Sequence, residues 1–195
     1  MGRVRAATLC SRNKHKAREL ERLLPGWTID VLDATEFPPE EGATYYENAR
    51  AKAEFGRRVG DPERWMLGED SGLEVAALDG GPGLHSSRSA AGDELGWLLR
   101  ELRGVEGEGR NACYVCELVA LSPSGEEFLG TGTLSGRIAY DASGSEGFGF
   151  DPIFVPDGET ETVAQLGNAW KSHYSHRARA AMALLDNCSL GQLND

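Results

Sequence analysis

The chain has 195 residues, 40% of them hydrophobic, and its 20 basic and 31 acidic side chains give a formal net charge of −11. This length and this hydrophobic fraction suit a globular domain and exclude a disordered chain. No apolar run approaches the roughly 18–20 residues of a membrane helix, and the acidity argues against a nucleic-acid surface. Net charge does not describe a single cleft, so these numbers leave a small anionic substrate open.

The first half of the chain alternates short apolar runs with amphipathic ones, which is typical of strands followed by helices. Ser11 is the expected N-cap of the first helix. Thr44 and Glu47 have the spacing of a capping box at the start of the second helix. The pattern predicts strands over residues 4–10, 28–32, 65–68 and 73–78, and helices over residues 15–24, 44–59 and 93–102.

The second half of the chain predicts a different arrangement. Two apolar runs, 111–121 and 126–134, flank a Ser-Pro-Ser-Gly turn and predict an antiparallel hairpin. A short strand at 154–155 and a final amphipathic helix over 175–185 follow. Because strand–helix units come early and a hairpin comes later, we expect an α/β protein with a mixed sheet, formed as a single domain over residues 1–195.

The cysteines do not predict a metal site. Cys113 and Cys116 form a CxxC, but this pair lies inside a strand-like apolar run and the sequence contains no second pair. Structural zinc sites need four ligands at characteristic spacings, so zinc is not expected. We expect reduced thiols in a cytoplasmic protein.

A basic segment follows the first predicted strand and leads into the first helix. The unpaired N–H groups and the dipole of a helix N-terminus attract anions, and lysine side chains add donors. The segment therefore predicts a phosphate site, although an ordinary capped helix with solvated lysines explains the same residues. Its members are Ser11, Arg12, Asn13, Lys14, His15 and Lys16.

Carboxylates form the second candidate site. Glu40, Glu41 and Glu47 lie before and within the second predicted helix, and Glu69 and Asp70 follow an apolar strand. Magnesium takes one or two protein carboxylates, and water and phosphate oxygens complete its octahedron. Glu40 in its loop and Asp70 at its strand end are the strongest candidates. The glutamates are also explained as surface charges or, for Glu47, as part of the helix cap.

Two segments near the C-terminus suggest a site for a nucleotide base. Phe148 and Phe150 alternate with glycines and offer flat faces for stacking, while Asp151 offers an acceptor. Lys171 and the Ser-His-Arg segment 175–177 offer donors to base or phosphate oxygens. A glycine-rich turn that buries two phenylalanines, followed by a solvated basic turn, explains these residues equally well.

Taken together, the motifs resemble the Ham1-like inosine/xanthosine triphosphate pyrophosphatases, and five of them occur in register over residues 8–177. Each motif alone is weak, but the ordered set is specific. The matching segments are Ser-Arg-Asn-Lys-His-Lys at 11–16, Glu-Glu-Gly-Ala-Thr-Tyr-Tyr-Glu-Asn-Ala at 40–49, Glu-Asp-Ser-Gly-Leu at 69–73, Phe-Gly-Phe-Asp-Pro-Ile-Phe at 148–154 and Ser-His-Arg at 175–177.

The resemblance implies a magnesium-dependent homodimer with an elongated mixed sheet, flanking helices and two lobes around a central cleft. It implies cleavage of ITP, dITP or XTP to the monophosphate and pyrophosphate. It also implies that Glu40 and Asp70 bind Mg²⁺ and that Asp70 activates the attacking water. The remaining family positions would bind substrate, and those that would hold the triphosphate are Ser11, Arg12, Asn13, Lys14, His15, Lys16 and Lys52. Ser71 would contact the nucleotide. The base and sugar would be framed by Phe148, Gly149, Phe150 and Asp151, and the base would also be contacted by Lys171, His176 and Arg177.

The sequence departs from the family pattern at two of these motifs. Ser11 stands where the family usually has threonine, and Glu69 replaces a frequent aspartate. Neither change removes the chemistry of the reaction. Two alternatives remain, a pyrophosphatase for pyrimidine or other modified nucleotides and an inert nucleotide-binding sensor, and the presence of Asp70 disfavours the sensor.

Overall fold

The computed structural model describes residues 4–86 and 92–191. The strands are β1 (Arg5–Leu9), β2 (Trp27–Val31), β3 (Trp65–Val75), β4 (Pro82–Gly83), β5 (Asn111–Leu121), β6 (Glu127–Ile138) and β7 (Phe154–Pro156). The α-helices are α1 (Lys14–Leu23), α2 (Tyr45–Val59), α3 (Glu94–Glu101), α4 (Val163–Tyr174) and α5 (His176–Gly191), and two short 3₁₀ helices cover Ala76–Leu78 and Gly107–Arg110.

The strands of the described residues form one mixed sheet. Its order is β2-β1-β3-β5-β6-β7, and β4 pairs with β3. β1 is parallel to both β2 and β3, whereas β3–β4 and β6–β7 are antiparallel. The expected mixed α/β fold is therefore confirmed.

The described residues divide into two compact units. The first unit contains residues 4–70, 116–132 and 177–191, and the second contains residues 71–86, 92–115 and 133–176. The core of the second unit is apolar, with Leu73, Leu98 and Phe154 completely shielded from solvent. The second unit thus has the apolar core expected of a folded body.

The sheet of the first unit is covered on both faces. One core cluster joins Leu67 to Leu20 of α1 and Leu184 of α5. A second cluster joins Met66 to Ala53 of α2. Because successive side chains of a strand point to opposite faces, residues 67 and 69 of β3 face α1 and α5, whereas residues 66, 68 and 70 face α2.

Three local predictions were wrong. The strands predicted at 65–68 and 73–78 are joined in one continuous strand, Trp65–Val75, and residues 76–78 form a 3₁₀ helix instead. Asp70 therefore lies within β3 and not at a strand end. Gly68 interrupted the sequence pattern, but its missing side chain admits α2, because a Cβ there would overlap the Ala49 carbonyl oxygen. Helix α4 was not predicted, since Gly167 (φ 84°) interrupts its periodicity. The third error, the N-cap of α1, belongs to the site described below.

Two further observations concern the cysteines and the helices. All four cysteines are free thiols, and three of them are buried. Among the described residues, no helix combines the length and the apolar character that a membrane span needs.

Candidate active site

Glu69 is the centre of a buried ionic cluster in the first unit. Its carboxylate is completely shielded from solvent. Lys16 Nζ lies 2.5 Å from Oε2, and Arg177 donates to Oε1 from Nε at 3.2 Å and from Nη2 at 2.9 Å. Cys116 Sγ lies 3.4 Å from the same Oε1. Glu69 therefore links α1, β3, β5 and the start of α5.

The charges of this cluster are matched. Burial acts to raise the pKa of Glu69, but Lys16 and Arg177 outweigh it and hold the pKa well below its usual value. Arg177 makes a second ion pair, from Nη1 to Glu19 Oε2 at 2.5 Å. Because Glu19 lies three residues after Lys16 on α1, the two pairs hold the same helix against the sheet.

The basic segment before α1 is partly occupied by structural contacts. Asn13, not Ser11, is the N-cap: its Oδ1 accepts from the backbone N–H groups of His15 at 2.9 Å and Lys16 at 3.3 Å. Ser11 Oγ instead accepts from the Asn13 N–H at 3.1 Å, one step earlier in the turn. Arg12 donates to the Thr35 carbonyl oxygen at 2.7 Å. Lys14 and His15 are exposed at the helix start.

Asp70 faces the opposite side of the sheet and contacts α2. Lys52 Nζ donates to its Oδ1 at 2.8 Å, and Asn48 Nδ2 donates to its Oδ2 at 3.2 Å. The same Lys52 Nζ lies 2.5 Å from Glu40 Oε1 and 3.1 Å from the Glu69 carbonyl oxygen. One ammonium group thus brings together the two carboxylates that the sequence suggested as metal ligands.

The pKa shifts of Asp70 and Lys52 follow from this arrangement. Burial raises the pKa of Asp70 above its usual value, although Lys52 acts against it. Burial acts to lower the pKa of Lys52, but Asp70 and Glu40 outweigh it and the net pKa is raised. Asp70 thus lies beside a fixed ammonium group, and a raised pKa makes its carboxylate a better proton acceptor.

Helix α2 carries, on one of its faces, the two side chains that contact Asp70. Thr44 Oγ1 accepts from the Glu47 N–H at 3.1 Å, as expected for the N-cap, but Glu47 Oε2 accepts from Ala43 N at 2.6 Å and not from the cap residue itself. Asn48 and Lys52 are four residues apart, both buried. Sequence reasoning missed Asn48, although a polar residue within the buried stripe of an amphipathic helix was a usable signal.

In the second unit, Asp151 anchors the glycine-rich loop. Phe148 N and Lys171 Nζ both donate to Asp151 Oδ2 at 2.8 Å, and Tyr114 Oη lies 3.5 Å from Oδ1. The loop needs Gly147 in a left-handed conformation (φ 79°), where a Cβ would overlap Asp151 Oδ2. Asp151 is buried, so its carboxylate organises the loop.

Aromatic rings surround this anchor. Lys171 Nζ lies 4.5 Å from the centroid of the half-buried Phe148 ring, and Phe150 is buried. The His176 ring stacks on Tyr114, with centroids 4.5 Å apart and planes 8° apart. Tyr114 had not been singled out from the sequence, because a tyrosine in a strand is usually a core residue.

The structure divides the predicted site residues between the two units. Lys52 directly contacts both Glu40 and Asp70, and Lys16 and Arg177 both contact Glu69. Among the described residues, no group of three or more His, Cys, Asp and Glu side chains is arranged to hold a metal ion. The first unit carries Ser11, Arg12, Asn13, Lys14, His15, Lys16, Glu40, Lys52, Asp70 and Arg177, and the second carries Ser71, Phe148, Gly149, Phe150, Asp151, Lys171 and His176.

The sequence and the fold match a known family. The Ham1 family model matches residues 7–187, and the chain belongs to the Ham1 family. It is 42% identical over 186 residues to a dITP/XTP pyrophosphatase of Bdellovibrio bacteriovorus, covering 89% of this chain and 92% of that protein. It is 40% identical over 187 residues to a dITP/XTP pyrophosphatase of Thermus thermophilus, covering 91% of this chain and 89% of that protein.

Solved structures of other proteins also match this chain. The Ham1 protein of Staphylococcus aureus superposes with a TM-score of 0.80 at 31% identity, covering 96% of this chain and 100% of that one. A structure from Mycobacterium abscessus, described as a nucleoside-triphosphatase and dITP/XTP pyrophosphatase, gives a TM-score of 0.71 at 36% identity. That match covers 92% of this chain and 97% of the other.

Proposed function

We propose that this protein hydrolyses non-standard purine nucleoside triphosphates, such as ITP, dITP and XTP, to the monophosphate and pyrophosphate. The observation that carries the proposal is the Glu40–Lys52–Asp70 cluster, in which a buried carboxylate of raised pKa lies beside a fixed cation. Membership of the Ham1 family and relatives with the name dITP/XTP pyrophosphatase support the substrate class. The protein would thereby remove deaminated purines from the nucleotide pool.

The chain's own residues supply the hydrolytic step. Asp70 would accept a proton from water as the water oxygen bonds to the α-phosphorus. The bond from the α-phosphorus to the bridging oxygen breaks, and its electron pair leaves with pyrophosphate. Lys16 at the start of α1 would stabilise this developing charge, and Glu69 holds its ammonium group in position. We assign the triphosphate contacts to residues 11–16 and Lys52.

The residues present fit a divalent cation, and we propose Mg²⁺. Glu40 and Asp70 offer hard oxygen donors, and they already share one cation, the Lys52 ammonium group. Two carboxylates are the usual protein contribution to a magnesium site that also takes water and phosphate oxygens. When bound, the ion would neutralise phosphate charge.

We propose that the second unit supplies a stacking face and hydrogen-bond donors for the base. The Phe148 ring is half-buried and offers a face for stacking. Donors such as His176 would suit the oxygen at purine C6, and adenine would present its amino group to them instead. Asp151 and Lys171 bind each other, so we expect them to hold the loop that carries Phe148 and Gly149. Phe150 would frame the base, and Ser71 would contact the nucleotide.

Arg177 is a predicted base contact that is itself held by two carboxylates. Its guanidinium binds Glu69 and Glu19 within the first unit and is almost fully buried. Any donor that it offers to the base is therefore fixed in direction by two carboxylates. We propose that this fixed direction contributes to the choice of purine.

We also propose a homodimer that works in the cytoplasm. The family resemblance suggests the dimer, and four free thiols fit a reducing compartment. Sedimentation of the purified protein tests the dimer, and fractionation of the source cells tests the compartment.

The function is tested with purified protein, Mg²⁺ and a panel of dITP, XTP, dGTP and ATP, with identification of the released anion. We expect pyrophosphate from dITP and XTP at rates at least about tenfold above those for ATP, since a donor–acceptor mismatch costs at least about 1.4 kcal/mol. Equal rates across the panel would contradict the substrate class. Release of orthophosphate would contradict the reaction, and binding of dITP without any release would identify an inert sensor.

A further inference from the structure

Asn48 is a buried amide whose two ends are both used. It lies in the first turn of α2 and is 3% exposed. Its Oδ1 accepts from the Gly42 N–H at 2.8 Å, and its Nδ2 donates to Asp70 Oδ2 at 3.2 Å. Because Oδ1 must face the N–H of Gly42, the amide can present only its NH₂ group to Asp70. The orientation of the amide is therefore set by the loop that it contacts.

The same loop carries Glu40. Glu40 reaches Asp70 through Lys52, and Gly42 reaches Asp70 through Asn48. Asn48 and Lys52 are four residues apart on α2, so they contact one carboxylate from the same helix face. The loop is therefore connected to Asp70 at two points, one ionic and one neutral.

Close packing leaves little freedom in this connection. A Cβ on Gly42 would lie 2.7 Å from Asn48 Oδ1 and 2.8 Å from the Glu47 Cβ. On the other side, α2 approaches β3 so closely that Gly68 has no room for a side chain. The amide of Asn48 thus spans a fixed gap between the loop and the strand.

We propose that Asn48 is a positioning residue that fixes Asp70 relative to Glu40 for the reaction. It acts through Asp70 and does not itself need to touch substrate. The inference rests on the proposed function, because it assigns Glu40 and Asp70 to one divalent cation. Loss of groups that orient metal ligands typically reduces metal affinity or activity by 10–100-fold.

The test compares Asn48→Ala and Asn48→Ser with Thr44→Ala in the full chain. Thr44 caps α2 but does not bond to Asp70 in the structure. It therefore reports what loss of the helix cap does by itself. Mn²⁺ binding without nucleotide is measured by electron paramagnetic resonance, and kcat and KM for dITP are measured separately.

We expect both Asn48 variants to weaken Mn²⁺ binding by about tenfold or more, and to lower kcat by a similar factor with KM for dITP within about twofold of wild type. We expect Thr44→Ala to stay within about threefold of wild type in Mn²⁺ affinity. If the Asn48 variants bind Mn²⁺ as wild type does, or if Thr44→Ala weakens Mn²⁺ binding equally, the positioning role is wrong.

Failure of the positioning role can be distinguished from failure of the proposed function. If wild type releases no pyrophosphate from dITP but binds Mn²⁺, the proposed function fails while the Mn²⁺ titrations still decide the role of Asn48. If Asn48→Ala does not fold, as judged by circular dichroism, Asn48→Ser decides the question because its smaller hydroxyl still satisfies part of the buried polar environment. Failure of both to fold would contradict a positioning role and show that Asn48 is structural.

Discussion

The two faces of β3 hold neighbouring carboxylates in contrasting environments. Glu69 faces α1 and α5 and is bound by two cations, whereas Asp70 faces α2 and is bound by one cation and a neutral amide. As a result, the pKa of Glu69 is well below its usual value and the pKa of Asp70 is above its own. The alternation of side chains along β3 thus places an acid that is suited to hold cations on one face and an acid that is suited to accept a proton on the other.

The largest expected effect is that of Asp70→Asn on turnover. The amide cannot accept the proton of the attacking water, so we expect kcat for dITP to fall by at least about 10²-fold, the range for loss of a general base. Nucleotide binding, measured by calorimetry, should remain within about fivefold of wild type because Lys16 and the start of α1 are unchanged. An Asp70→Asn protein with wild-type turnover would assign proton transfer to another group.

On the other face, Glu69→Gln should chiefly affect stability. The substitution leaves the buried Arg177 and Lys16 without their shared counter-charge, and breaking such a pair costs about 3–5 kcal/mol. Urea unfolding followed by circular dichroism measures this loss. Glu21→Gln, on the exposed side of α1, is the matched control and should change stability by less than about 0.5 kcal/mol. A Glu69→Gln loss no larger than the control's would show that the cluster is not stabilising.

The pH dependence of that stability difference has a definite sign. Because the folded pKa of Glu69 is lowered, its contribution is fully present above the unfolded value of about 4.3 and is lost as pH falls through the folded pKa. The difference in unfolding free energy between wild type and Glu69→Gln should therefore be constant from pH 8 to about pH 5 and shrink below it. A difference that grows on acidification would contradict the lowered pKa.

The smallest expected effect concerns the reactivity of the four cysteine thiols. Burial raises the pKa of Cys10 to about 12 and that of Cys188 to about 11, and it raises the pKa of Cys116 beside Glu69 well above its usual value. Only the half-buried Cys113 is accessible among them. With iodoacetamide at pH 8, mass spectrometry should find Cys113 modified at least about tenfold faster than the other three. Equal rates would show that the Cys116–Glu69 contact opens in solution.

Local sequence pattern was enough for much of the fold. Apolar runs located β1, β2 and the β5–β6 hairpin, because strands in a core carry mostly apolar side chains. The capping pattern of Thr44 and Glu47 located the start of α2. It failed at two glycines. Gly68 resembled a break in the strand pattern, but it lets α2 approach β3. Gly167 is a true interruption, with non-helical φ and ψ inside α4.

The sequence by itself determined the residue types of the proposed site, since binding of phosphate and of a divalent cation would need basic side chains and carboxylates, such as Lys16, Glu40 and Asp70. Only the tertiary structure decided their partners. Arg177 and Glu69 are 108 positions apart, and Asn48 and Asp70 are 22 apart, so no local pattern links them. Their pairing depends on which face of β3 each helix covers, and that is fixed by burial of the whole core and not by any single motif.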